Sequence, residues 1–106
     1  MVSLPSYDEF REVVGSTFTA AAVVDPESEE LFEVDLRLHA ISNLVETPAA
    51  RSWALEFRGP AEWSFEQGLA SLDHERFGRI DLFLVPLGER EGEATYEAVF
   101  SLLVEP

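Results

Sequence analysis

Phe32-Glu33-Val34-Asp35-Leu36-Arg37-Leu38-His39-Ala40 decides the fold. Every second residue is apolar, and every residue between them is ionisable. Successive side chains of an extended chain point to opposite faces, so the stretch predicts a strand with one buried and one wet face. A helix would scatter the same apolar residues around its whole circumference. The strand is expected over about 31–42.

The same period runs outward in both directions. Upstream, Phe18, Ala20, Ala22 and Val24 alternate along a strand over about 17–24, joined to the first stretch by the polar turn Asp25-Pro26-Glu27-Ser28-Glu29-Glu30. Downstream, Asn43 to Ala50 reads as a loop. Trp53, Leu55 and Phe57 mark a strand over about 52–58 that Gly59-Pro60 is expected to stop. Ala61 to Gly68 is irregular, with Trp63 and Phe65 expected to plug an end of the core. Further strands are expected over about 69–75, 79–87 and 95–104, the last two joined by a charged loop from Gly88 to Glu93.

The N-terminus changes period. Ser6-Tyr7-Asp8-Glu9 has the residues of a capping box, Tyr7, Phe10, Val13 and Val14 share one helical face, and Gly15 suits a left-handed cap. A helix over about 6–14 follows. The whole of 1–106 is expected to be a single, mainly β domain: about six strands in an antiparallel barrel or sandwich, with one short N-terminal helix.

One strand breaks the inside–outside rule. In Ile80 to Leu87 the inner set is Ile80, Leu82 and Leu84, yet the opposite set, Phe83, Val85 and Leu87, is apolar too. Val99 and Leu103 of the next strand extend that outer stripe. An apolar outer face calls for a cover. Either the N-terminal helix lays Phe10 and Val14 over it, or another subunit or protein does.

Composition narrows the partners. The chain has 106 residues, 46% of them apolar, with 8 Phe and 2 Trp, enough for a core without staples. It has no cysteine, which excludes disulfides, thiolate metal sites and thiol nucleophiles. With 21 acidic residues against 7 basic ones, every basic one an Arg, the net charge is −14, and a nucleic-acid backbone would be repelled. No apolar run reaches the ~20 residues of a membrane-spanning helix, and Met1 to Pro5 has no secretory character. No membrane contact is expected, and a cytoplasmic location is.

Catalytic chemistry finds little footing. His39 falls on the wet face of its strand. His74 shares its phase with Ala70 and Leu72 beside Asp73 and Glu75, the setting of a partly buried neutral histidine that donates to a carboxylate or carbonyl. No nucleophile elbow, phosphate loop or paired-histidine helix occurs. Two separated histidines without cysteine do not make a zinc site. Asp25, Glu27, Glu29, Glu30 and Glu33 lack the spacing and glycine of a calcium loop. No catalytic residue, metal or cofactor is expected. Arg58, in a chain with so few cations, is expected to pair with a nearby carboxylate at the surface.

Ser6-Tyr7-Asp8-Glu9-Phe10, Gly15-Ser16-Thr17-Phe18, Phe57-Arg58-Gly59-Pro60, Leu72-Asp73-His74-Glu75 and above all Leu82-Phe83-Leu84-Val85-Pro86-Leu87-Gly88 resemble a small uncharacterised bacterial domain family of unknown function. The resemblance covers essentially the whole chain. Its members are often encoded near phage tail-collar or microcystin-dependent-type tail proteins, so the resemblance implies an accessory component of a tail-like structure. It carries no functional residues with it. Arg76-Phe77 departs from the proline-containing turn more usual there.

The first expectation is therefore a non-enzymatic binding or assembly module, working with a protein partner or as a homo-oligomer through Phe83, Val85, Leu87, Val99 and Leu103. The alternatives are an acidic decoy that mimics nucleic acid, and a small-ligand binder or enzyme using a barrel mouth lined by Trp53, Trp63 and His74.

Overall fold

Ser6 opens the first element. Its hydroxyl accepts from the Glu9 amide at 3.2 Å, and the Glu9 carboxylate accepts from the Ser6 amide at 3.1 Å. This reciprocal pair satisfies two amides that a helix start leaves free. Helix α1, Tyr7–Glu12, is shorter than expected because Val13 already leaves helical geometry. Gly15, at φ 96°, turns the chain out of it.

The computed structural model describes residues 5–25, 30–61 and 67–103. Seven strands follow α1: β1 (Thr17–Asp25), β2 (Glu30–Ile41), β3 (Val45–Glu46), β4 (Ala50–Pro60), β5 (Gly68–His74), β6 (Gly78–Arg90) and β7 (Glu93–Leu103). The turn residues 26–29 and the expected plug residues Trp63 and Phe65 lie outside the described residues.

All pairings are antiparallel, in the order β2-β1-β5-β6-β7-β4-β3. A further pairing of β2 with β4 joins the two sides, so the six long strands close into a barrel rather than a sandwich. β3 lies inside the expected 43–50 loop and extends β4 where β2 leaves it. Two exposed residues are too short for a period to register. The Thr47 hydroxyl, accepting from the Ala50 amide at 3.0 Å, holds the turn that follows.

The interior holds the alternating sets. Val34, Leu36 and Leu38 of β2, Trp53, Leu55 and Phe57 of β4, Ile80, Leu82 and Leu84 of β6, and Tyr96, Ala98 and Phe100 of β7 are all buried. Phe18 meets Phe57 edge-on at 5.3 Å, and Trp53 stacks on Phe100 at 5.1 Å. The barrel is filled by its own side chains, as barrels of this size are.

Two expected stops are absent. Gly59 and Pro60 continue β4, paired with Ala94 and Glu93 of β7. Gly59 is there for close packing: a Cβ on it would stand 2.6 Å from Leu36 Cδ2 and 3.3 Å from the Asp35 carbonyl oxygen. The charged loop expected from Gly88 to Glu93 shrinks to Glu91-Gly92, at φ 53° and 78°. Positive φ at both central residues makes a tight hairpin turn whose twist matches the strands, so β6 and β7 run almost to the tip.

Pro86 sits in the β6–β7 ladder opposite Tyr96, beside a register shift at Gly88. β5 pairs with β6 only as far as Leu84. From Val85 onward β6 therefore has a free side toward β5 among the described residues, where a residue without an N–H is tolerated.

The placement of α1 corrects one of the two expected covers. Phe10 does not lie on the outer face of β6. It is fully buried inside the barrel end, 5.3 Å from Phe100 and 5.9 Å from Phe77 between ring centres. Tyr7 meets Trp53 edge-on at 5.6 Å and donates to the Ser42 carbonyl at 3.1 Å. Val14 is left 41% exposed. A helix of six residues has one apolar stripe. Phe77, Phe100 and Trp53 at the open end of the barrel take it, because three aromatic rings give it more to bury than the flat outer face.

Candidate functional site

The outer stripe of β6 stays uncovered by α1. Phe83 is 51% exposed, Val99 of β7 is 64% exposed, Leu87 lies at the surface, and Val85 is half-buried. The Leu103 side chain lies outside the described residues. The structure adds a residue that period-two reading passed over. Leu69 of β5 is 74% exposed and is the direct cross-strand partner of Phe83. The signal was present: Leu69 is apolar in antiphase to Ala70, Leu72 and His74. Leu102 is also exposed although it shares the inner phase of Phe100, because β7 runs on past the end of the core.

The patch borders a groove of about 260 Å³ between Asp81, Leu82 and Phe83 on one side and Ala98 to Leu102 on the other. It exists because β6 changes partners along its length. Residues 78–84 pair with β5, and residues 85–90 pair with β7. Among the described residues, β7 beyond Glu97 pairs only with β4. Apolar side chains and open strand edges thus meet at one seam.

His74 is buried, as its phase predicts, but its partner differs from the expected one. Its partner is neither a carboxylate nor a carbonyl: its Nε2 lies 2.8 Å from the Ser16 hydroxyl. The Arg76 amide donates to Nδ1 at 3.0 Å. Nδ1 is therefore bare, the proton is on Nε2, and Nε2–H donates to Ser16, whose own hydroxyl donates to the Val13 carbonyl at 2.6 Å. A histidine that activates a serine needs the opposite polarity, with Nε2 accepting. The ring stacks against Phe77 at 4.9 Å and lies 4.3 Å from Phe18, so the group ties the exit of α1 to the β5–β6 turn. Burial holds its pKa below 6.5, Glu75 opposing and Arg76 adding to the shift.

Trp53 is buried at the barrel end beneath Tyr7 rather than open to solvent, and its indole Nε1 has no hydrogen-bond partner among the described residues. His39 stays on the wet face, its Nε2 3.9 Å from Glu56. Arg58 corrects a surface expectation. It is buried, with Nε 3.0 Å from Glu56 and a terminal nitrogen 3.6 Å from Glu91. Glu56 also takes Arg90 at 3.2 Å. Arg58 faces Arg37 directly across the β2–β4 ladder. Each is neutralised by its own glutamates, Arg37 by Glu93 at 3.0 Å.

The family model of a domain of unknown function, DUF6916, matches residues 5–100. The chain belongs to that family. No curated protein and no solved structure matches it. The match spans α1, the seam and the patch up to Phe100, so all of them lie within the family's own domain. No helix among the described residues is long and apolar enough to cross a membrane.

Proposed function

We propose that this domain is a non-enzymatic binding or assembly module that docks on protein through the outer face of β5, β6 and β7. The observation that carries the reading is the contiguity of Leu69, Phe83 and Val99, each more than half exposed, on a face that α1 leaves open. A large apolar patch in water is unfavourable at about 25 cal/mol per Å² and marks an interaction surface. The reversed polarity of the Ser16–His74 pair and the packing of Trp53 add support, since the nearest approach to a catalytic pair is wired as a structural tie. The resemblance to a family encoded near tail-collar proteins gives the setting: an accessory part of a tail-like assembly.

Phe83→Glu tests the reading. The side chain is exposed, so the variant should keep the wild-type circular dichroism spectrum and melting curve while losing self-association or partner binding. Light scattering over a concentration series reads the first, and a pulldown with purified candidates reads the second. A monomer in both proteins, with partner binding unaltered, would sink the proposal.

A further inference from the structure

The seam between β6 and β7 has properties that an apolar patch alone does not explain. Alternate residues of an antiparallel strand direct both N–H and C=O to the same neighbour. On β6 from Gly78 to Leu84 and on β7 from Ala98 to Leu103, the sides turned toward each other form no ladder among the described residues. Such rows are templates for an added strand. Phe83 and Val99 flank them and offer apolar footing to alternate side chains of whatever lies between.

Glu97 stands where the seam closes. It is the cross-strand partner of Val85 on one side and of Glu56 on the other. Like charges directly opposed are unfavourable. Glu56 is compensated by Arg58 and Arg90, whereas the Glu97 carboxylate has neither a hydrogen bond nor an ion pair among the described residues. Asp81, at the open end, is already held by the Ser71 hydroxyl at 2.7 Å and by Arg79 at 3.6 Å. Glu97, two residues before Val99 at the closing end of the seam, is the anion left uncompensated there among the described residues.

A second copy of the chain is a poor source of the missing cation. There is no Lys, and six of the seven arginines, 37, 51, 58, 76, 79 and 90, already face carboxylates, which leaves Arg11. Each copy would also bring a further −14. We propose that the seam takes an extended segment of a different, basic protein as an added strand. Its apolar side chains rest on Phe83 and Val99, and a Lys or Arg reaches Glu97. This inference rests on the docking reading above and names the chemistry of the partner.

The probe is a capped seven-residue peptide of alternating valine and lysine, with the valine–glutamate peptide as control, titrated into isotopically labelled full-length protein. The expected result is amide shift changes and slowed hydrogen exchange confined to residues 81–84 and 97–102. Glu97→Lys, or proline in place of the central valine of the peptide, should weaken binding about tenfold or more. Equal binding of the glutamate peptide, shifts spread over the whole acidic surface, or no binding at millimolar peptide would overturn the inference. The two readings fail differently. If Phe83→Glu abolishes self-association while the peptide leaves the seam untouched, docking through the patch stands and the basic-strand partner falls. If Phe83→Glu changes neither self-association nor partner binding and the peptide leaves the seam untouched, both fall.

Discussion

His74 links three segments through two hydrogen bonds and one tautomer. Protonation would place a second N–H at Nδ1, against the Arg76 amide that now donates to it. Burial already disfavours the charged ring and holds its pKa below the ordinary 6.5. In the unfolded chain the ring takes up a proton more readily than in the barrel. Its stabilising contribution is therefore complete above 6.5 and declines as pH falls below that value through the folded pKa. His74→Gln keeps a polar side chain and cannot titrate. The difference in urea midpoint between wild type and this variant should be largest above pH 6.5 and shrink as pH falls below it. A difference that stays constant with pH would mean that the tautomer plays no part.

The β6–β7 hairpin shows how a strained element is kept. Glu91 is a non-glycine residue at φ 53°, a conformation that disfavours a side chain by about 1–2 kcal/mol. Its compensation is an ion pair with Arg58 at 3.6 Å from a carboxylate that is itself exposed. Exposed pairs contribute about 0–1 kcal/mol, so the strain wins, and Arg58 keeps Glu56 without it. Asparagine tolerates this backbone and precedes glycine in the favoured hairpin turn. Glu91→Asn should raise stability by about 0.5–1 kcal/mol, measured by denaturant titration. A loss of stability instead would show that the Glu91–Arg58 pair outweighs the backbone term. At the same scale, the six-residue α1 shows how little helix a capping box can specify: its position came from the three aromatic rings that its stripe meets.

Across the whole molecule the charge is one-sided. Local pairing neutralises six arginines and leaves most of the 21 carboxylates to repel one another. Raising ionic strength from about 0.01 to 0.15 M shortens the screening length from about 30 to 8 Å. Self-repulsion should weaken more than the close ion pairs do, so the melting temperature should rise by about 4 °C, near 1 kcal/mol for a chain of this size. A flat or falling melting temperature, read by calorimetry, would show that the ion pairs dominate.

Much of the barrel was legible one strand at a time. Alternation along Val34 to Leu38, Trp53 to Phe57 and Ile80 to Leu84 separated buried from wet faces, because a strand's two faces are a local property of the backbone. The same rule exposed Phe83, Val85 and Val99 as an apolar set turned outward, and the Ser6–Glu9 box and Gly15 announced α1. Tertiary structure alone decided closure of the ring through β2 and β4, the burial of Phe10 at the barrel end, and the seating of Ser16 against His74 across 58 positions of sequence. It also set Leu69 beside Phe83 and opened the seam below Glu97. These features depend on which strands meet and in what register. That is settled by the joint packing of distant side chains around one closed core, and no short-range period carries the information.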